Sequence, residues 1–258
     1  MDTLEEHINL IEVTPQNVED YGVFCVKDKK APGYAEKVNW MRNKLNGGVK
    51  LQILADEHGK QLGFVEYTPA ESCWRAVDAP GYLFVQCIYI ARKANRDQNL
   101  GSRLLDAVEA DARNSMKNGV CTLSSDGPWL ANKTLFEKNG FLQAATRGRF
   151  ELLYKPFAAD SPVPTFMDWV PSLEEHQGWH LVYADQCPWH DKSVTALSNV
   201  AREQGVPLQV TKLERPEDAQ KGPSGFGTFA LIKDGKLLAD HYLSATRFKN
   251  ILKKEFVG

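Results

Sequence analysis

The sequence predicts an α/β fold in two successive units. Three observations carry this reading. Apolar segments switch repeatedly between strand and helix spacing, and a proline-rich stretch without periodicity, KPFAADSPVP, interrupts them at Lys155 to Pro164. The composition, 43% hydrophobic and 25% charged, is that of a folded globular chain rather than a disordered one. At roughly 150 residues per domain, the 258 residues make one ordinary unit, expected over 1–158, and a smaller one over 159–258.

Taken in order, Ile8 to Thr14 reads as a strand, Pro15 to Val26 as a helix and Ala35 to Leu45 as a second helix. Val49 to Ala55 and Gln61 to Thr68 are strands joined by the glycine-containing turn EHGK, which suits a hairpin. Tyr82 to Ile90 is the most apolar strand; broken by Gln86 and short, it falls below the roughly 18 residues of a membrane span and reads as buried. From Gly101 to Lys117, Leu104, Leu105, Val108 and Ala112 recur at helical spacing, with Gly119 placed to stop the helix. Val120 to Ser124 is a strand, Leu130 to Lys138 a helix ended by Asn139-Gly140, and Phe141 to Tyr154 a closing strand region. After the break come a strand at Trp179 to Asp185, a helix at Asp191 to Gln204 ended by Gly205, and a strand at Leu208 to Leu213. A hairpin over Asp234-Gly235 joins Thr228 to Ile232 with Lys236 to Tyr242, and Ser244 caps a last helix.

Charge and cysteine usage exclude several functions. With 31 basic against 33 acidic residues, and each unit close to neutral, no surface for tracking phosphates of nucleic acid is expected, nor a polybasic membrane contact. Met1 to Leu10 carries Asp2, Glu5 and Glu6, the opposite of a signal-peptide start. The five cysteines are odd in number and contain no CxxC pair, so reduced thiols in a cytoplasmic protein are expected, with no disulfide framework and no metal site. Oligomeric state is not legible.

The junction where strand Tyr82 to Ile90 meets RDQNLG at Arg96 to Gly101 and the following helix carries the chemistry. A helix start there offers unpaired N–H groups and partial positive charge, which suit an anion, above all a pyrophosphate. An ordinary α/β connection produces the same pattern.

These residues resemble the GCN5-related N-acetyltransferase (GNAT) family. Its signature is Gln or Arg, two residues, Gly, one residue, then Gly or Ala. Arg96 and Gly101 match the outer positions, and Asn99 stands at the first glycine, where its tolerance of positive φ suits it. A second match is VCTLSS, Asn132, then TLFEKNGF up to Phe141. The resemblance spans about Ile8 to Phe157. It implies acetyl-CoA as co-substrate, its pyrophosphate over the amides of Gln98, Asn99, Leu100, Gly101 and Ser102, and its pantetheine against the backbone of Ile88, Tyr89 and Ile90, with Asn132 nearby. The reaction implied is direct attack of an amine, small or protein-borne, on the thioester.

The tyrosine that many relatives use as general acid is Phe136 in this chain. Unaided departure of the thiolate, another acid, or binding without catalysis are the alternatives. Glu66 is the candidate base, and a solvent-facing strand Glu is the plainer account. Cys121 reads as packing before nucleophile, and Ser124 and Ser125 as turn caps before ligand contacts. Trp74 and Arg75, in the connection Ala70 to Tyr82, are candidates for the acceptor pocket or for core cover.

The second unit, strand, Cys187-Pro188-Trp189-His190, helix, strand, hairpin, helix, resembles the thioredoxin fold and the YoaP-like carboxy-terminal domain. Cys187 at a helix start is a candidate thiol, with His190 three residues on. The second cysteine of a dithiol motif is His190, and Gly227 precedes Thr228 where thioredoxins carry a cis-proline. Dithiol exchange is therefore not expected. A thiol-dependent adduct or redox protein, and a non-catalytic acyl-CoA adaptor, are the competing functions.

Overall fold

The computed structural model describes residues 8–91 and 99–257. The chain forms two compact units, neither of them a single stretch. The first takes the chain up to Phe24, then Met41–Cys73 and Val77–Phe166; the second takes Cys25–Trp40, Trp74–Ala76 and the chain from Met167 on.

The first unit holds strands β1 (Asn9–Val13), β2 (Lys50–Ala55), β3 (Gln61–Pro69), β4 (Val77–Asp78), β5 (Tyr82–Ile90), β6 (Gly119–Ser124), β7 (Leu142–Arg147), β8 (Phe150–Pro156) and β9 (Thr165–Phe166). Its helices are α1 (Val18–Tyr21), α3 (Leu100–Asn114) and α4 (Lys133–Lys138); α2 (Tyr34–Leu45) belongs to the second unit as far as Trp40. Seven strands pair in the order β1-β2-β3-β5-β6-β8-β7, and β4 pairs with β9. Only β5 and β6 run parallel; every other pair in this sheet is antiparallel. The apolar stripe of α3, Leu100, Leu104, Leu105, Val108 and Ala112, packs on Val65, Tyr67, Leu83, Val85 and Val120 of the sheet. That burial is the main cohesive term of the unit.

Four local readings change. The helix expected over Pro15 to Val26 is the single turn α1, closed by Gly22 at φ 66. Phe141 to Tyr154 is a hairpin, β7 and β8, turning at Gly148 (φ 59). Helix α3 ends before Gly119, with Met116 in the left-handed region (φ 52). Gly119 is needed for close approach, since a Cβ there would lie 2.2 Å from the Lys155 carbonyl oxygen. The proline-rich break is tied into this unit, not left as a loose tether: the Tyr82 hydroxyl donates to the Pro162 carbonyl at 2.8 Å and the Ser161 hydroxyl to that of Asn118 at 3.1 Å.

The second unit holds β10 (Trp179–Tyr183), β11 (Leu208–Lys212), β12 (Phe229–Lys233) and β13 (Lys236–Ala239), with α5 (Val170–Glu174), α6 (Trp189–Glu203), α7 (Pro216–Gln220) and α8 (Ala245–Val257). Its sheet runs β11-β10-β12-β13, with β10 parallel to β11 and the other pairs antiparallel. Asp234 (φ 47) and Gly235 (φ 73) make the expected tight turn. Leu181, Leu197, Phe229, Leu231, Phe248 and Leu252 form its buried interior.

Candidate active site

Strand β5 creates the site by bending. Against β3, Glu66 stands opposite Cys87 and Tyr67 opposite Val85, so Gln86 is an additional residue in β5, a bulge. A bulge turns the strand and reverses the alternation of its side chains. Leu83 and Val85 before it and Ile88 and Ile90 after it accordingly face the same core. On its other side β5 pairs with β6 only from Tyr82↔Gly119 to Val85↔Thr122, while β5 runs on to Ile90 and β6 to Ser124. The two parallel strands part at the bulge.

Helix α3 begins beyond that opening. Asn99 caps it in the left-handed conformation (φ 54, ψ 14) without a side-chain capping bond. Arg103 makes the helix's bond to the Asn99 carbonyl at 3.1 Å, so the N–H groups of Leu100, Gly101 and Ser102 precede any intrahelical acceptor. Arg96 and Gln98 lie outside the described residues. Gly101 has a packing role as well: a Cβ there would meet Leu135 Cδ1 at 2.8 Å, so the glycine lets α3 and α4 approach.

Asn132 is the N-cap of α4. Its Oδ1 accepts from the Thr134 amide at 2.9 Å, and its Nδ2 donates to Asp126 Oδ1 at 2.7 Å. The cap and the Asp126 contact fix the side chain's orientation. Phe136 is fully buried in the core, edge-on to Phe141 with ring centroids 5.4 Å apart. Ile88 and Ile90 pack against the core as expected, whereas Tyr89 is 46% exposed on the opposite face. Phe64, paired with Tyr89, stacks on Phe24 at 4.9 Å. Glu66 lies two residues from Phe64, on that same face, and is buried, not solvent-facing.

Other candidates fall elsewhere. Burial pushes the Cys121 thiol well above its ordinary range, with Cys73 and Glu71 adding to it, as fits a packing cysteine. Ser124 donates to the Ala131 carbonyl at 2.9 Å, a turn contact. Trp74 and Arg75 are interior residues of the second unit: Arg75 Nη1 donates to the Trp74 carbonyl at 2.9 Å and to Thr228 Oγ1 at 3.3 Å. Both side chains are buried.

In the second unit, Cys187 is half-buried ahead of α6. His190 Nδ1 donates to the Ala184 carbonyl at 2.9 Å. Burial, with the charges of Arg75 and Lys37, holds that imidazole down to about 4, so it cannot serve Cys187 as a protonated partner near neutrality. Among the described residues no group of three or more His, Cys, Asp or Glu is arranged to hold a metal.

The bulge at Gln86 and the aromatic contacts of Phe24 and Phe64 are the parts of this site that sequence reasoning missed. A polar residue inside the most apolar strand was the available signal for the first. The second has no local signal, because Phe24 and Phe64 are distant in sequence.

Comparison with known proteins gives the following similarities. Residues 16–141 match the family model described as acetyltransferase (GNAT) family, and residues 207–250 the one described as YoaP-like. The two matches thus follow one another along the chain, the acetyltransferase-like stretch first and the YoaP-like stretch second. It is 28% identical, over 94% of its length and 97% of the relative's, to a Bacillus subtilis (strain 168) protein described as uncharacterized N-acetyltransferase YoaP. Among solved structures, a GNAT acetyltransferase from Staphylococcus aureus Mu50 matches with a TM-score of 0.44 and 16% identity, over 58% of this chain and 99% of that one. The YncA acetyltransferase of Salmonella typhimurium, solved with acetyl-CoA, matches with 0.43 and 14%, over 61% and 98%. The YhbS N-acetyltransferase of Escherichia coli, solved with CoA, matches with 0.43 and 14%, over 60% and 84%.

Proposed function

We propose that the first unit transfers the acetyl group of acetyl-CoA to an amine by direct attack on the thioester. The observation that carries this reading is the parting of β5 and β6 after Val85 and Thr122, in front of the start of α3, where Asn99 makes no side-chain capping bond. The exposed backbone edge of Ile88 to Ile90 would pair with the pantetheine arm, and the amides of Leu100, Gly101 and Ser102 would receive the pyrophosphate. Glu66 would take the proton of the attacking amine. With Phe136 buried in the core, the departing thiolate leaves without a proton from that position.

The arrangement of the second unit supports a thioredoxin-like reading: strand order β11-β10-β12-β13, and α6 following a cysteine in the connection from β10. The scattered cysteines support a cytoplasmic setting. Among the described residues no helix is long and apolar enough to cross a membrane.

The test is turnover. Acetyl-CoA incubated with an amine library should release free CoA thiol with at least one amine. Ser102→Glu should weaken acetyl-CoA binding at least tenfold while leaving the unliganded melting temperature unchanged or slightly raised, because an acidic residue suits the first turn of a helix. Calorimetric titration showing wild-type affinity in that variant would refute the phosphate placement. Release of no CoA with any amine, despite binding, would favour the adaptor reading.

A further inference from the structure

Among the described residues of the first unit, two aromatic side chains are exposed, Tyr89 at 46% and Trp129 at 40%. Both stand at the same place in the topology. Strands β5 and β6 run parallel, so their carboxyl ends lie at one end of the sheet, and their pairing stops at Val85↔Thr122. Tyr89 follows on the free end of β5, and Trp129 on the loop that leaves β6 for α4. One exposed ring thus stands beyond the last paired residue of each strand.

Trp129 is held there against its backbone preference. Its φ is 74, a conformation that strains a bulky side chain. The loop around it is fixed on both flanks. Ser125, 2% exposed, accepts from the Gly127 amide at 3.0 Å and from Arg149 Nη1 at 3.2 Å, and that guanidinium also donates to the Pro128 carbonyl at 3.4 Å. Ser124 donates to the Ala131 carbonyl at 2.9 Å, and Asn132 Nδ2 to Asp126 Oδ1 at 2.7 Å. Strain held in place by its surroundings in this way gathers at ligand-contacting positions. Residues paired across strands share a face, as do alternate residues along a strand. Glu66 and Thr68 therefore share a face with Phe84, which pairs with Thr68, and with Cys121, which pairs with Phe84; Ser125 continues that row at the root of the loop. Tyr89, opposite Phe64, stands on this face too.

We propose that Trp129 and the Tyr89 side chain select the acceptor, and that the acceptor is an arylalkylamine. The inference rests on the acetyl-transfer reading and adds the substrate class to it. The acceptor's ring packs against the two exposed rings, and its amine lies toward Glu66. Offset and edge-on ring contacts add to the burial of apolar area, and an ammonium group gains further from a ring face. In the transfer the amine nitrogen bonds to the thioester carbon, the C–S bond breaks with its electron pair leaving on the CoA sulfur, and the N–H proton passes to Glu66.

The experiment follows release of CoA thiol by the full chain from acetyl-CoA and three amines: phenethylamine, its saturated counterpart cyclohexylethylamine, and butylamine. The ratio kcat/KM should be about tenfold higher for phenethylamine than for cyclohexylethylamine. Trp129→Gly suits the positive φ, so its melting temperature should not fall and its acetyl-CoA affinity should match the wild type. Its KM for phenethylamine should nevertheless rise about tenfold, while its KM for butylamine hardly changes. Tyr89→Leu should raise the phenethylamine KM in the same selective way, and serves alone where Trp129→Gly does not fold. The proposal is overturned by equal kcat/KM for the phenyl and cyclohexyl amines, by a wild-type phenethylamine KM in a folded variant, or by an equal rise for butylamine, which marks a structural role. Turnover of butylamine without phenethylamine sinks this inference alone; turnover of no amine sinks the transfer reading and this inference with it.

Discussion

His190 is an imidazole kept neutral by its surroundings. Below its ordinary value of 6.5 the unfolded chain takes up a proton that the folded chain refuses until about pH 4. Its contribution to stability is therefore complete above 6.5 and lost progressively as pH falls to 4, a difference of about 3 kcal/mol. Urea midpoints measured between pH 7 and 4 should fall in the wild type and fall less steeply in His190→Leu. Glu66, buried on the face that carries Phe64, makes a kinetic prediction. Glu66→Gln should lower kcat by about 10²–10⁴-fold with acetyl-CoA affinity unchanged; an unaltered kcat removes it as the base. Residue readings were legible where a side chain answers to its own backbone. Asn99 at positive φ and Ser244, whose Oγ accepts from the Arg247 amide at 3.3 Å, both follow from local chemistry. Trp74 and Arg75 did not, because what buries them, Thr228 and Phe226, lies about 150 positions away.

Elements with several turns or a full alternation were readable: α3, α6, β5 and the β2–β3 hairpin all lie within a few residues of expectation. Helices α5 and α7, five residues each, and the two-residue strands β4 and β9 are too short to show a period. Each of those helices instead carries a proline in its first turn, a start signal that short segments share with turns. Helix α4 illustrates how a short element is held. It has six residues, an Asn132 cap and one large buried side chain, Phe136. Phe136→Ala should cost about 3–5 kcal/mol and lower the denaturant midpoint of the unit. Acetyl-CoA affinity measured well below the melting temperature should change little if Phe136 acts through packing alone; a large loss would put its ring in the cofactor site.

At the scale of the molecule, the unit boundaries do not follow chain order. The second unit incorporates Cys25–Trp40 and Trp74–Ala76, and two glycines make room for them. A Cβ on Gly33 would sit 1.9 Å from the Pro188 carbonyl oxygen, and one on Gly227 would sit 2.3 Å from that of Trp74. Both obstacles are backbone, and both glycines have positive φ. Gly227→Ala should therefore destabilise by about 2 kcal/mol or more, visible as a lower melting temperature. A fragment of residues 159–258 lacks both inserted stretches and should melt without a cooperative transition; a sharp transition would show that they are dispensable.

That interleaving also orders events in time. A ribosome adding roughly 5–20 residues per second releases Trp40 and Trp74 well before it begins the sheet they are to join. For several seconds two tryptophans destined for an interior have no interior to enter. The nascent chain must either shelter them provisionally or present them to a chaperone, and the second unit can close only after its last helix has been made. Its assembly is coupled to translation of its own last helix, whatever the folding speed of the first unit.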